Sequence, residues 1–377
     1  MKHQLLHWLF ASSLLSLISS FIPVYALNNL VNYNMEGLGD LNTIGFQSNI
    51  SSVDAYAGYS YRSEEFCDNS QSLTLVLKTS LTNPTVKTPL VKQTNACKVG
   101  AAALTPDSSH IYYLHYTNSN MMPFYTTAIW RVKKDGTTYE QVIAENANNF
   151  LLDATTIYWS TATQIRYRLK QGGIIHTLYT APPNTTIKVR AMDGANIFFD
   201  QESGDKRYNQ QHQIRHAPLN GKPAQTLYTL DKGVYINDLT LDTDNVYWTE
   251  QTFGNELQGA LNRVGKDGKN QRYILPFAKG YILTSLAVTA NKVYWVEKFG
   301  LDTRDKSIIR SRTQPTKKDG LFTLEVDNRQ GILSGLFIQK SFGLFGKISV
   351  FWYERGWNTP PQVVKAEEVI TPPVIFQ

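Results

Sequence analysis

The sequence predicts an all-β fold, a β-propeller built from four-stranded antiparallel blades. Three observations carry that prediction. An apolar-aromatic-aromatic box recurs along the chain, its copies lie 40 to 57 residues apart, and hairpin turns of the Asp-Gly or Asn-Gly kind follow most copies. Apolar residues alternate or run short and are rich in Val, Ile, Thr and Tyr, and no stretch carries a helical period.

The chain opens with Lys2, an apolar stretch from Leu5 to Ile22 and the small-x-small site Val24-Tyr25-Ala26, the pattern of a cleaved export signal over residues 1–26. Serines dilute the apolar run, so a membrane anchor is the poorer reading, and no transmembrane segment is expected after cleavage. Removing those residues takes away one lysine and no acid, leaving 36 basic against 31 acidic groups over a single domain, 27–377. The charges are interspersed, which argues against a nucleic-acid surface. The expected location is secreted or periplasmic, and the expected state a monomer. Cys67 and Cys97 are the only cysteines, and in an oxidising compartment a disulfide is expected, contributing about 3.5 kcal/mol by closing the intervening loop.

The boxes are "IYYLH" from Ile111, "IYWST" from Ile157, "IFFDQ" from Ile197, "VYWTE" from Val246, "VYWVE" from Val293 and "VFWYE" from Val350, with a degenerate "YAGYSYRSE" near Tyr59. Blade cores are therefore expected near residues 59, 113, 159, 199, 248, 295 and 352. Six residues before the second aromatic stand Asp107, Asp153, Asp193 and Asp242, placed to cap the amides of a tight turn between the first two strands. After a variable connection comes an apolar-x-Arg strand, a turn such as the "KDG" of "LNRVGKDG", and an outer strand such as "QRYIL". Each blade buries its aromatic face against the next because one sheet cannot cover both of its own faces. Glu250 and Glu297, closing two of the boxes, are expected to pair with strand arginines or backbone amides.

These boxes, the turn Asp and the downstream Ile-x-Arg with its Asp-Gly turn resemble the YWTD repeats of low-density-lipoprotein-receptor-type propellers and related bacterial propellers. The resemblance spans about residues 45 to 365 and implies a propeller architecture without implying an activity. Seven blades are expected, six being the usual number of that family and the alternative. Only "QVVKAEEV" follows the last box clearly, so the ring is expected to close by pairing of the N- and C-terminal strands, with residues 30–34 completing the last blade.

Function is expected on the face where the connections between second and third strands gather. Met121, Met122, Phe124 and Tyr125 make one such connection partly apolar, and Phe253 and Phe299 lie in two others. Nearer the channel, Asn149, Lys188, Arg190 and Asp238 belong to the first strands and form a polar mouth. These ten residues are the candidate binding set for a protein or glycan partner. The alternative is a lyase or hydrolase using Asp238, Lys188 or Arg190 at the channel mouth. No catalytic residue, metal site or cofactor is assigned, because no HExxH, G-x-S-x-G or phosphate-loop motif occurs. His212 and His216 on one strand would stand about 13 Å apart, too far to share an ion.

Overall fold

The computed structural model describes residues 50–369, apart from 55–58, 64–71, 84, 95–98, 119–124, 205–209, 253–257, 290–291, 300–306, 314–321, 329–330, 342–346 and 357–361. The export signal, both cysteines, Met121, Met122, Phe124, Phe253 and the expected closing segment 30–34 lie outside the described residues.

Every described regular element is a strand, and sequence neighbours pair into successive antiparallel sheets. The first sheet holds β1–β4 (Ile50–Asp54, Tyr59–Arg62, Ser72–Ser80, Lys87–Thr94), and the second β5–β8 (Val99–Pro106, His110–Asn118, Tyr125–Lys133, Tyr139–Ile143). The third holds β9–β12 (Asn149–Leu152, Thr156–Ser160, Gln164–Leu169, His176–Thr180), and the fourth β13–β16 (Thr185–Met192, Asn196–Ser203, Gln211–Pro218, Gln225–Thr229). The fifth holds β17–β20 (Val234–Leu241, Asn245–Thr252, Gln258–Gly265, Arg272–Lys279), and the sixth β21–β24 (Tyr281–Val288, Lys292–Phe299, Ser307–Thr313, Phe322–Asn328). A seventh, three-stranded among the described residues, holds β25–β27 (Gly331–Ser341, Lys347–Gly356, Gln362–Val369). No helix among the described residues is long and apolar enough to cross a membrane.

The boxes occupy the second strands, and their aromatics make the core. Trp159, Trp248, Trp295, Tyr113 and Phe199 are fully buried. In the first sheet the fully buried aromatic is Tyr61, while Tyr59 packs at the edge of that cluster. Core clusters run between sheets: Phe198, Ile214 and Leu227 of the fourth pack with Trp248, Val246 and Val264 of the fifth. Gly259 lets the fifth and sixth sheets approach closely, since a Cβ there would sit 3.1 Å from Leu283 N and 3.2 Å from Tyr281 O.

The turns are built as the letters require. Oδ1 of Asp242 accepts the amides of Asp244 (2.8 Å) and Asn245 (2.6 Å), and its Oδ2 accepts the Tyr247 hydroxyl at 2.7 Å. Asp107, Asp153 and Asp193 accept the two equivalent amides in their own turns. Where a lysine is available, the second oxygen reaches the next sheet: Lys170 Nζ lies 3.1 Å from Asp107 and Lys266 Nζ 2.8 Å from Asp193. In the Asp-Gly turns Gly136 and Gly268 both take φ of +77°, a left-handed conformation that a side chain would strain. Replacing Asp242 with alanine is expected to lower stability by about 1–2 kcal/mol, since two amides and the hydroxyl of the buried Tyr247 lose their acceptor. Denaturant midpoints of the variant and wild type measure this.

Candidate functional site

Antiparallel pairing places the entries to the first strands and the second-to-third-strand connections at one end of every sheet. The Asp turns and the Asp-Gly turns share the other end. The expected channel-mouth residues lie on the first strands. Six of these strands carry an extra residue about where the sequence places the mouth, with register breaks between Ile50 and Ser52, Ala102 and Thr105, Val189 and Ala191, Ile236 and Asp238, Thr284 and Leu286, and Ser334 and Phe337. An extra residue is unpaired in its own ladder, so its polar groups turn elsewhere. Arg190, Asn237 and Ser285 hold such positions in the fourth, fifth and sixth sheets.

Most of these groups turn to the next sheet. Asn149 Nδ2 donates to Val189 O at 2.7 Å. Arg190 donates to Asn237 O (3.2 Å) and Ile236 O (3.1 Å), and Asn237 Nδ2 to Leu283 O at 2.9 Å. Asp238 accepts Leu286 N at 2.7 Å and Leu239 N at 2.8 Å. Three of the four described mouth candidates thus fasten the third, fourth, fifth and sixth sheets together. Lys188, the fourth, is partly exposed. Tyr125 and Phe299 begin and end strands flanking their connections.

Asp200, which sequence reasoning passed over, and His212, weighed there only as a metal ligand, complete this hub. Asp200 accepts the Arg190 guanidinium at 3.2 Å and lies 2.9 Å from His212 Nδ1, all three side chains being buried. Burial opposes the charge on Asp200, yet His212 and Arg190 hold its carboxyl below the usual range. His212 meets the same opposition, and Asp200 raises its pKa. Asp238 goes the other way: burial pushes its carboxyl up to about 6, against the pull of the Leu286 amide and Arg190. The i−9 spacing from the second aromatic would have marked Arg190, but nothing in its neighbourhood marked Asp200 as its partner.

The carboxylate that closes the fifth sheet's box corrects the sequence reading. Glu250 accepts the indole N–H of Trp248 at 2.8 Å rather than pairing with a strand arginine, and Glu297 accepts the indole N–H of Trp295 at 3.0 Å. Residues two apart on a strand share a face, which puts indole and carboxylate side by side. The box "IYWST" has no acid at that position, and Glu145, from the segment before β9, accepts the Trp159 indole at 3.2 Å and pairs with Arg166. Among the described residues, no three His, Cys, Asp or Glu side chains gather closely enough to hold a metal ion.

No family model matches the chain, and no curated protein matches it by sequence. Among solved structures, it is similar to one of two prolyl endopeptidases studied for inter-domain dynamics, at 14% identity and a TM-score of 0.52, covering 81% of this chain and 45% of that one. It is also similar to an acylaminoacyl peptidase bound to a chloromethyl ketone, at 11% identity and a TM-score of 0.50, covering 82% and 50%. The chain thus spans about half the length of these two peptidases. The likeness to the β-propeller domain of the Trilobed protease from Pyrococcus furiosus, a domain with an open velcro topology, covers 83% of this chain and 94% of that one, at 11% identity and a TM-score of 0.50. At such identities the shared property is the fold, and that fold is a β-propeller.

Proposed function

We propose that this chain is an exported binding propeller that recognises a protein or glycan partner through the face where its second-to-third-strand connections gather. One observation carries the reading: most second-to-third-strand connections are long and differ in sequence, while the turns at the opposite end mostly share one pattern. At the opposite end the Asp turns of four successive sheets repeat one geometry, whereas the connections after Asn118, Ser203, Thr252 and Phe299 are all longer than the short link from Ser160 to Gln164. Specificity belongs where the frame does not dictate the residues.

In this proposal the seven sheets are seven blades of a closed ring. The contact of β25 with β1 supports closure, and the first strands otherwise neighbour one another in succession. The YWTD-like boxes support a scaffold role, and the N-terminal signal supports export.

Replacing Met121, Met122, Phe124 and Tyr125 together with serine tests the proposal. Binding is followed on a glycan array and by cross-linking to native envelope or extracellular proteins. The expected result is loss of the wild-type binding pattern with an unchanged melting temperature. An unaltered pattern would remove that connection from the site.

A further inference from the structure

The interface between the third and fourth sheets contains a polar motif that recurs, with one member missing, between the fourth and fifth. In the fourth sheet Arg215 lies across the strand pair from the core aromatic Phe199. Its guanidinium donates to Tyr179 Oη on the preceding outer strand (2.9 Å), to Gln201 Oε1 (2.8 Å) and to Ala224 O (3.3 Å). The Tyr179 ring packs 5.0 Å from Phe199 and 5.4 Å from the guanidinium carbon. Arginine holds the same register position in two other sheets: Arg166 opposite Trp159, where it pairs with Glu145, and Arg310 opposite Trp295.

The fifth sheet keeps this frame and drops the arginine. Tyr228, from the preceding outer strand, packs 5.1 Å from Trp248, as Tyr179 does on Phe199. Glu250 stands where the fourth sheet has Gln201, two residues beyond the core aromatic. The position opposite Trp248 is Asn262, whose short side chain cannot span to the neighbouring sheet. Asn262 is 1% exposed; its amide lies against the Glu250 carboxylate and favours the charged form, while its Oδ1 has no hydrogen-bond partner. Glu250 accepts the Trp248 indole and pairs with no cation among the described residues. Burial pushes its carboxyl up to about 7. Tyr273, aligned with Asn262 on the outer strand, is 44% exposed and marks where the wedge reaches solvent. The Asp231 carboxylate adds negative potential felt by Tyr228, Tyr273 and Glu250.

We propose that the wedge between the fourth and fifth sheets is a binding site for an external guanidinium group, an arginine side chain of a peptide, which takes the place that Arg215 holds between the third and fourth. A guanidinium matches what is left unmatched: its planar fork suits a carboxylate and an amide oxygen together, and its face suits the rings of Tyr228 and Tyr273. An anion would meet Glu250 and Asp231 with repulsion, and a neutral sugar would leave the buried carboxylate without a counter-charge. The site lies beneath the exposed Tyr273 and stands independently of the connection-rich face proposed above.

The test titrates the full chain with N-acetyl-arginine amide, following the Trp248 indole N–H resonance, assigned by its loss in Trp248→Phe. Saturable binding that shifts this resonance is expected, with no shift from the neutral isostere N-acetyl-citrulline amide. Glu250→Gln should keep the indole hydrogen bond and weaken binding about tenfold or more, as expected for losing a charged acceptor. Asn262→Arg, which supplies the guanidinium internally, should abolish binding while raising the melting temperature. Absence of binding, equal binding of citrulline or lysine amide, or undiminished affinity in Glu250→Gln would overturn the proposal. If Asn262→Arg does not fold, the citrulline and Glu250→Gln arms decide alone.

Discussion

Replacing Trp248 with alanine is expected to lower unfolding free energy by about 3–5 kcal/mol, the cost of emptying a core aromatic site whose surroundings collapse only partly. Trp248 is fully buried, with the Tyr228 ring of the preceding sheet packed on it and Val246 and Val264 in the same cluster. The substitution also removes the indole N–H from Glu250, leaving a buried carboxyl without that donor. Trp248→Phe keeps most of the apolar volume and should cost clearly less than the alanine change. Guanidinium denaturation of both variants measures this. A loss in Trp248→Ala no larger than that of a surface substitution would mean that the indoles do not join the sheets, and the account of the fold would fail with it.

The second large effect is expected at Arg190. Replacing it with methionine should cost about 3–5 kcal/mol, because removing one member of a buried ionic group leaves the others uncompensated. Asp200 would keep only His212, and the carbonyls of Ile236 and Asn237 would lose their donor from the neighbouring sheet. Burying Asp200 without its cation is the dominant penalty, so adding Asp200→Leu to Arg190→Met should recover part of the loss. A double-mutant cycle by denaturant unfolding measures the coupling. Strict additivity would mean that the two side chains do not share one energy well. Hydrogen exchange offers a second readout: amides of β17 should exchange faster in Arg190→Met if this residue fastens the fourth sheet to the fifth.

Much of the candidate site was visible as residue types and little of it as relationships. The positions nine and ten residues before the second aromatic fall on the first strands in the third, fourth and fifth sheets, and Asn149, Arg190 and Asp238 are there. Their use is different from an open mouth, because all three hand hydrogen bonds to the adjacent sheet, Arg190 and Asp238 from a register break in their own strand. Neither a register break nor the identity of the neighbouring carbonyl has a one-letter signature. Glu250 shows the same limit: the sequence places an acid two residues after a tryptophan, and only the side-by-side arrangement on one strand face makes the indole its partner.

What the sequence determined by itself is whatever closes within a few residues or repeats from unit to unit. The Asp107, Asp153, Asp193 and Asp242 turns close over three residues, the Asp-Gly turns need a glycine at positive φ, and the alternating boxes have one apolar face to hide. Those interactions are local, so their letters suffice. The tertiary structure decided which partners the polar side chains found. Arg190 meets a carbonyl 47 residues away, Asn149 one 40 residues away, and Glu145 stands in for the acid missing from "IYWST". A buried charge or amide takes whatever complementary group the packing of two sheets brings within reach, and that proximity is a property of the assembled blades rather than of any one of them.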